Sequence, residues 1–298
     1  MLLLDFNQLF FGQITKDFAD QATSTNPQAL SLVKHMVLTS LVFYKRRYGA
    51  TYGDPVLACD NKRYWRKGRF SYYKGSRKTN REKSKMDWDF IHEALEEVKK
   101  DLLAVFPYKI IDVEGAEADD VIACLTKYGQ SHDLIQQGLV EDPRPTMIVS
   151  ADHDFIQLQR YKNVSQYSPN KKALIKPDST VNAFIMEHIC AGDAGDGIPN
   201  ICSADNCLVD GIRQKSFMRD RIPAFNEHGI DACINDEERR NFQRNQMLVD
   251  FEFIPPEIND RIVEAYITST PAVRSSGKIF NYMIANRMKH LLDSASDF

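Results

Sequence analysis

The sequence has few of the features that mark membrane-spanning, secreted or zinc-binding proteins. None of its apolar runs reaches the roughly 18 residues that a membrane span needs. The first residues, Met1 to Leu4, have no basic start and meet an acid at Asp5, unlike a signal peptide. The six cysteines form no Cys-x-x-Cys pair, and the seven histidines form no metal-binding pattern. We therefore expect reduced thiols in a cytoplasmic protein without a membrane partner.

Charge is distributed unevenly along the chain. The net charge is −3, but the stretch from Lys62 to Lys85 holds eleven Lys and Arg residues and a single acid, Glu82. This stretch, which we call the basic segment (residues 62–85), therefore carries +10, and the rest of the chain carries −13. A cationic segment inside an acidic protein indicates a polyanionic partner, and the acids elsewhere need a separate explanation.

Aromatic residues alternate with cations in the first half of the basic segment, where Gly68 and Gly75 weaken any helix. This mixture suits stacking on bases and pairing with phosphates, whereas a solvated basic helix would not explain five aromatic residues. The predicted nucleic-acid contacts are Tyr64, Trp65, Arg66, Lys67, Arg69, Phe70, Tyr72, Tyr73, Lys74, Arg77 and Lys78. Because the segment repels itself and has few aliphatic residues to bury, we expect it to be mobile alone and ordered on nucleic acid.

Three short apolar runs along the chain each end on an aspartate. Residues 2–4 precede Asp5, residues 56–59 precede Asp60, and residues 147–151 precede Asp152. Helical patterns separate these runs, an order typical of βαβ units, so we predict an α/β fold with a central, mostly parallel sheet flanked by helices. Ligands of such sheets bind beyond the carboxyl ends of the strands, so the three acids should meet at one edge.

The stretch Gly115–Val121 places three carboxylates within four residues at the predicted first turn of a helix. Repulsion among them is partly offset by the helix N-terminus, whose free N–H groups favour negative charge, so ordinary helix-start acids are an alternative interpretation. With nearby turns, the candidate metal ligands number nine. They are Asp5, Asp60, Glu117, Asp119, Asp120, Asp152, Asp154, Asp193 and Asp196.

Each of these acids alone has a simpler role as a strand-end cap or a turn former. Nine carboxylates in one cleft, however, cannot all stay ionised without cations. Oxygen ligands without His or Cys select Mg²⁺ or Mn²⁺ over zinc. Such a site serves the attack of water on a phosphodiester, where one metal activates the water and a second stabilises the leaving oxygen.

These residues together make the chain resemble the flap endonuclease, or 5′ nuclease, family over nearly its whole length, and within it the RNase H branch of T-even bacteriophages. The acidic motifs are specific as an ordered set. The motifs that carry the resemblance are Leu4-Asp5-Phe6, Asp60-Asn61, Tyr64-Trp65-Arg66, Tyr73-Lys74, Glu117–Asp120, Ser150–Asp154, Gly192-Asp193 with Asp196, Asp250-Phe251, Ile254-Pro255 and Gly277–Ile279.

The resemblance implies a 5′→3′ exonuclease and flap endonuclease that removes RNA primers and adjoining DNA from lagging-strand fragments. It implies two Mg²⁺ ions, for which Mn²⁺ substitutes, and substrates that are branched or nicked DNA and RNA–DNA duplex. A single-stranded DNA-binding protein or a clamp is an implied partner.

The resemblance also implies roles for individual residues. Asp5, Asp60, Asp119 and Asp152 correspond to the first metal site, supported by Glu117, and Asp154, Asp193 and Asp196 correspond to the second. Lys74 and Arg77 fall on a helical, cationic arch that contacts the scissile phosphate, and Arg66 matches a basic residue of the same arch. Lys74, Arg77, Asp119 and Asp152 are therefore the predicted catalytic residues.

Two regions are expected: an α/β nuclease domain over residues 1–190, which includes the arch at 62–85, and a largely helical C-terminal region over 191–298. The family's helix–turn–helix for duplex phosphates is degraded here to Pro199–Ala204. Residues 129–146 are predicted to form a loop-like insertion. Alternatives from the sequence are a phosphatase, a two-metal nuclease for other structured RNA, and a catalytically silent DNA-binding replication protein.

Overall fold

The apolar runs that end on aspartate form the centre of a β-sheet. The computed structural model describes residues 1–17, 20–137 and 140–298. Its strands are β1 (Leu2–Asp5), β2 (Pro55–Ala58), β3 (Lys109–Ile111), β4 (Leu134–Gln137), β5 (Val140–Pro143), β6 (Thr146–Val149), β7 (Val164–Ser168) and β8 (Ala173–Ile175).

Six of these strands form one sheet in the order β3-β2-β1-β6-β7-β8. Every neighbouring pair is parallel except β7 with β8, which is antiparallel. Strands β1, β2 and β6 are buried along their whole length, as expected of apolar strands that are covered on both faces. The predicted α/β fold with a mostly parallel sheet is confirmed.

Helices flank the sheet and dominate the last third of the chain. They are α1 (Phe6–Asp17), α2 (Ala29–Tyr52), α3 (Trp65–Arg69), α4 (Ser76–Lys83), α5 (Trp88–Val105), α6 (Ala118–His132), α7 (Val181–Ala191), α8 (Ile222–His228), α9 (Asp236–Val249), α10 (Pro256–Thr268) and α11 (Ser276–Ala285). None of the helices within the described residues is long and apolar enough to cross a membrane.

Two helices end elsewhere than their sequence patterns predict: Gly49 suits the end of α2, and the apolar spacing near the C-terminus predicts a helix from Ile279 to Leu292. Helix α2 continues past Gly49 to Tyr52, because Gly53 supplies the left-handed turn (φ 88°) and its N–H donates to the Gly49 carbonyl. The predicted C-terminal helix over 279–292 stops at Ala285, where Arg287 takes a positive φ of 59° and a 3₁₀ turn follows.

The predicted loop over residues 129–146 is also wrong for the residues that the structure describes. Helix α6 runs on to His132, and β4 and β5 then pair as an antiparallel hairpin. Residues 138–139, between the two strands in the chain, lie outside the described ranges. The hairpin is closed at its base by Arg144, whose N–H donates to the Asp133 carbonyl at 2.8 Å and whose Nε donates to the Asp133 carboxylate at 2.9 Å.

Three apolar clusters hold these elements together, and each draws on both predicted regions. Helices α1, α2 and α5 share a cluster with α11 and the C-terminal Phe298, whose ring centroid lies 5.1 Å from that of Phe106. Helix α6 packs with α10 on the other face of the sheet. A third cluster joins Phe70 and Tyr73 of the basic segment to helices α7, α8 and α9. The division at residue 190 stays a prediction.

Candidate active site

Seven of the nine predicted acidic ligands line one cleft of about 210 Å³ at the carboxyl edge of the sheet. We call it the acidic cleft. These seven are Asp5, Asp60, Asp119, Asp152, Asp154, Asp193 and Asp196. They come from a strand end, from turns and from the first turn of a helix, so the fold collects residues that lie far apart in the chain.

Hydrogen bonds orient the acids that follow β1 and β2. Asp5 ends β1, and its carboxylate accepts from the Gln8 N–H at 2.9 Å and from the Ser150 hydroxyl at 3.1 Å. Asp60 accepts from the Ala118 N–H at 2.8 Å, so it sits at the N-terminus of α6, where free N–H groups favour an anion. Asp119 occupies the first turn of the same helix.

The remaining acids sit on two turns. Asp152 accepts from the Asp154 N–H at 2.9 Å and so caps the 3₁₀ turn that begins at residue 153. Asp193 accepts from the N–H groups of Gly195 at 2.7 Å and Asp196 at 3.2 Å. Gly192 precedes this turn with a φ of 70°, and a Cβ there would lie 2.4 Å from the Ile198 carbonyl oxygen, so only glycine fits.

Burial and mutual repulsion destabilise the ionised form of these carboxylates. Burial, and then the charge of Asp60, raise the pKa of Asp5 to about 7. Burial, and then the charge of Asp154, raise the pKa of Asp152 to about 6. Burial and the neighbouring Asp152 raise the pKa of Asp119 well above its ordinary value. Hard divalent cations would neutralise such oxygen donors, so the residues present fit the metal ions that the sequence predicts.

The other two predicted ligands lie elsewhere. Asp120 is fully buried, and its carboxylate accepts from the N–H of Glu117 at 2.9 Å and from the Arg66 guanidinium at 2.7 Å. Asp120 therefore lies outside the acidic cleft, with its oxygens bonded to the helix start and to an internal cation, and its role as a metal ligand stays a prediction. Glu117 is also buried and outside the acidic cleft, where it accepts from Arg66 at 2.9 Å and pairs with Lys74.

Several residues of the basic segment are buried against the rest of the protein. Arg66 is 3% exposed and also donates to the Leu248 carbonyl at 2.8 Å. Phe70 and Tyr73 are buried in the third apolar cluster, and the half-buried Trp65 donates its indole N–H to Asp120. Internal partners therefore cover Arg66, Phe70 and Tyr73 in this structure, and their contact with nucleic acid stays a prediction.

The basic segment therefore divides into two parts. Residues 64–75 are anchored by these buried contacts, so the expectation that the segment has little core to bury against is wrong for them. Helix α4, in contrast, buries no residue. Among the predicted contacts, Lys67, Arg69, Arg77 and Lys78 are exposed, and Tyr64 and Tyr72 are half-buried.

Lys74 lies at the rim of the acidic cleft. It is only 8% exposed, takes a left-handed conformation (φ 53°), and its N–H donates to the Asp196 carbonyl at 2.7 Å. Its ammonium pairs with Glu117 and lies 3.5 Å from the Asp196 carboxylate, which also accepts from Arg77 at 2.6 Å. Burial lowers the pKa of Lys74, but Glu117 and Asp196 outweigh burial and raise it, so the side chain is a cation.

A second cleft of about 870 Å³, which we call the basic cleft, adjoins the acidic cleft. The residues that line both clefts are Asn7, Phe11, Asp60, Lys74 and Arg77. The other cations along the basic cleft are Lys62, Lys67, Lys78, Arg81 and Lys100. Another cavity of about 780 Å³, between α6 and α10, is lined by none of the predicted site residues.

Three residues of the site were missed by sequence reasoning. Asn7 and Gln8 line the acidic cleft two and three residues after Asp5, and their closeness to that acid in the chain is a signal that could have found them. His188, in α7, places its Nε2 at 3.2 Å from Asp154 Oδ1. Burial lowers the pKa of His188, but the carboxylates of Asp154 and Asp193 outweigh burial and raise it to about 10.

Comparisons with known proteins agree with this architecture. A family model described as 5′-3′ exonuclease, N-terminal resolvase-like domain, matches residues 1–185, and one described as T4 RNase H, C terminal, matches residues 179–298. The Ribonuclease H of Enterobacteria phage T4 is 30% identical over 307 residues, which cover 99% of this chain and 95% of that protein.

Two solved structures share the fold. A variant flap endonuclease of bacteriophage T5, in a pseudo-enzyme–product complex with DNA and metal ions, superposes with a TM-score of 0.63 at 16% identity and covers 89% of this chain and 97% of its own. A phage T5 5′-exonuclease with bound zinc superposes with a TM-score of 0.56 at 16% identity and covers 90% and 98% of the respective chains.

Proposed function

The chain belongs to the 5′-3′ exonuclease family of nucleases, and we propose that it uses two Mg²⁺ ions to cut RNA and DNA at 5′ ends, flaps and nicks during lagging-strand replication and repair. The observation that carries this proposal is the junction of the two clefts. Seven carboxylates line one cleft, and it shares Asp60, Lys74 and Arg77 with a second cleft where seven Lys and Arg side chains outnumber five carboxylates. A polyanionic strand in the basic cleft would meet the acidic cleft at this junction.

We assign Asp5, Asp60, Asp119 and Asp152 to the first metal position and Asp154, Asp193 and Asp196 to the second. Mn²⁺ would substitute for Mg²⁺ because it accepts the same oxygen donors. The ions supply the Lewis acidity for attack of water on the phosphodiester. Asp119 and Asp152 are catalytic in this proposal because they would bind the ions that position the phosphate.

Lys74 and Arg77 act on the phosphate itself in this proposal. A cation that the protein holds in place beside the reacting phosphate stabilises developing negative charge. Glu117 fixes the Lys74 ammonium, and Asp196 fixes the Arg77 guanidinium, so both cations are already oriented before a strand arrives. Glu117 is therefore a positioning residue for Lys74, and Asp196 orients Arg77 in addition to its place at the second metal position.

The strand would follow the basic cleft towards α4. Lys67 and Lys78 line this cleft and are exposed, and Arg69 is exposed at the end of α3. In the proposal these three cations pair with phosphates, while the half-buried Tyr64 and Tyr72 offer ring surface for stacking. The substrates are branched or nicked DNA and RNA–DNA duplex. We assign the α/β nuclease function to residues 1–190 and duplex binding to the helical region 191–298.

A single-stranded DNA-binding protein or a clamp of the replication machinery stays a predicted partner. The cytoplasm (of the host, if a phage encodes the chain) stays a predicted location.

One assay tests the activity. A 5′-labelled flap duplex is incubated with the protein and Mg²⁺, and the products are mapped to the nucleotide. Cuts at the base of the flap, stopped by a chelator, are expected. Tight binding without any cutting would instead favour a silent DNA-binding protein.

A further inference from the structure

We propose that His188 is a nitrogen ligand of the second metal position, and that this position therefore prefers Mn²⁺ or a similar transition-metal ion to Mg²⁺. The inference rests on the proposed two-metal function and adds a ligand that the acidic motifs do not contain. Carboxylate oxygens suit Mg²⁺ and Mn²⁺ alike, whereas imidazole nitrogen suits transition metals. One histidine among oxygen donors would shift the selectivity of this position only.

The distances around His188 match a shared cation. His188 Nε2 lies 3.2 Å from Asp154 Oδ1 and 3.8 Å from Asp193 Oδ2. One donor atom from each of the three residues lies within 4.8 Å of the other two. An octahedral ion with bonds of about 2.1 Å holds neighbouring ligands about 3 Å apart and opposite ligands about 4.2 Å apart. The two distances from His188 Nε2 fall within that span.

The orientation of the ring supports ligation over simple hydrogen bonding. His188 Nε2 is buried and, despite its short distance to Asp154, makes no aligned hydrogen bond to any part of the chain that the structure describes. Buried polar atoms without an aligned partner are rare in folded proteins. A nitrogen that shares a cation with two carboxylates needs proximity to them but no such alignment, and that is the geometry seen here.

The fold holds the ring in place. His188 lies three residues before the end of α7, where its carbonyl accepts from the Gly192 N–H at 2.9 Å. The ring stacks on Phe184, with centroids 5.7 Å apart and planes 20° apart, and the neighbouring Ile189 is buried in the core. A ligand that is already oriented loses less freedom when it binds.

A histidine beside two carboxylates can also compete with a metal ion, and the two roles predict opposite effects of removing His188 on metal binding. A protonated His188 between two carboxylates would act as a built-in counterion, and a metal ion would have to displace it. Its removal would then strengthen metal binding, whereas loss of a ligand weakens it. The sign of the effect therefore separates the two roles.

Pulsed EPR of Mn²⁺ bound to the full chain tests ligation directly. Protein made with ¹⁴N-histidine should show nitrogen couplings that change when ¹⁵N-histidine replaces it. The couplings should vanish in His188→Gln and persist in His153→Gln, a matched control because His153 is exposed and lies between Asp152 and Asp154 in the chain. By calorimetry, His188→Gln should weaken one Mn²⁺ site by about 10-fold or more, with a smaller change for Mg²⁺.

The outcomes separate this inference from the proposed function. Absence of histidine nitrogen coupling in the unaltered protein overturns the inference, and this measurement needs no variant to fold. Tighter Mn²⁺ binding by His188→Gln also overturns it. If the protein binds Mn²⁺ without nitrogen coupling but still cuts flaps with Mg²⁺, only the inference fails. If it binds no divalent cation and cuts nothing, the proposed function fails as well.

Discussion

Glu117 and Lys74 form a buried ion pair at the junction of the acidic and basic clefts. The carboxylate is almost fully buried, and Arg66 and Tyr73 also bond to it, so its position is set by the core. Burial raises the pKa of Glu117, but Lys74 and Arg66 outweigh burial and hold it below its ordinary value. Lys74 is thus a fixed cation beside seven carboxylates, and not a mobile surface lysine.

Lys74→Ala should reduce turnover by about 10²-fold or more, because a fixed cation beside the reacting phosphate stabilises developing negative charge. Affinity for flap DNA should fall much less. Single-turnover cleavage with Mg²⁺ and binding in Ca²⁺ measure the two effects. Lys78→Ala is the matched control, since Lys78 is exposed on α4 and should affect affinity alone. Equal losses of turnover and affinity for Lys74→Ala would mean that this residue only tethers the strand.

The neighbouring Asp119 and Asp120 should respond differently to the same substitution. Asp119→Asn should nearly abolish cutting and leave the metal-free protein as stable as before or more stable, because it removes a charge from a crowded cleft. Asp120→Asn should destabilise the fold by about 3 kcal/mol, because it takes one carboxylate from the buried Arg66. Urea unfolding in a chelator and flap cleavage provide the measurements. Full activity of Asp119→Asn would refute the metal assignment.

The metal-free protein should lose stability as the pH rises from about 4 to about 8. The folded state raises the pKa of Asp5 to about 7 and that of Asp152 to about 6. Both acids therefore bind protons more tightly folded than unfolded, and this stabilisation is lost as the pH rises through the folded pKa values. His188, whose pKa is raised to about 10, acts in the same direction above pH 6.5.

Thermal melts in a chelator between pH 4 and 8 test this pH dependence. Asp5→Asn should flatten the curve, and Mg²⁺ should restore stability at pH 8, where the carboxylates are ionised. A metal-free protein that is most stable at pH 8 would show that the acidic cleft is not under electrostatic strain.

Trypsin should cut the free protein first within residues 76–85, where α4 buries no side chain, and not within residues 64–75. Local opening is easiest where few contacts hold the backbone. Flap DNA in Ca²⁺ should protect the sites in 76–85, since phosphates would cover the exposed cations. Mass spectrometry of the early fragments identifies the first cut. Equally fast cleavage after Lys67 or Arg69 would mean that the buried contacts of residues 64–75 do not anchor the segment.

Much of the fold and of the site followed from local patterns. The apolar runs ending at Asp5, Asp60 and Asp152 predicted the parallel strands, because strands that are covered on both faces must be apolar throughout and their ends must carry the polar groups. The order of the acidic motifs then predicted the family. The hairpin β4–β5 was not predicted, because two four-residue strands of mixed polarity are too short to leave a hydrophobic period in the sequence.

By itself, the sequence determined the sheet, the gathering of acids at its carboxyl edge and the basic segment, because each depends on residue types and short-range spacing. Only the tertiary structure decided which acids share the cleft. Asp119 and Asp120 are adjacent in the chain, yet successive helical residues point about 100° apart, so one lines the cleft and the other pairs with Arg66. It likewise brought His188 to Asp154, 34 residues away in the sequence, because α7 packs against the turn after β6. Contacts of this kind arise from packing, and no local pattern encodes them.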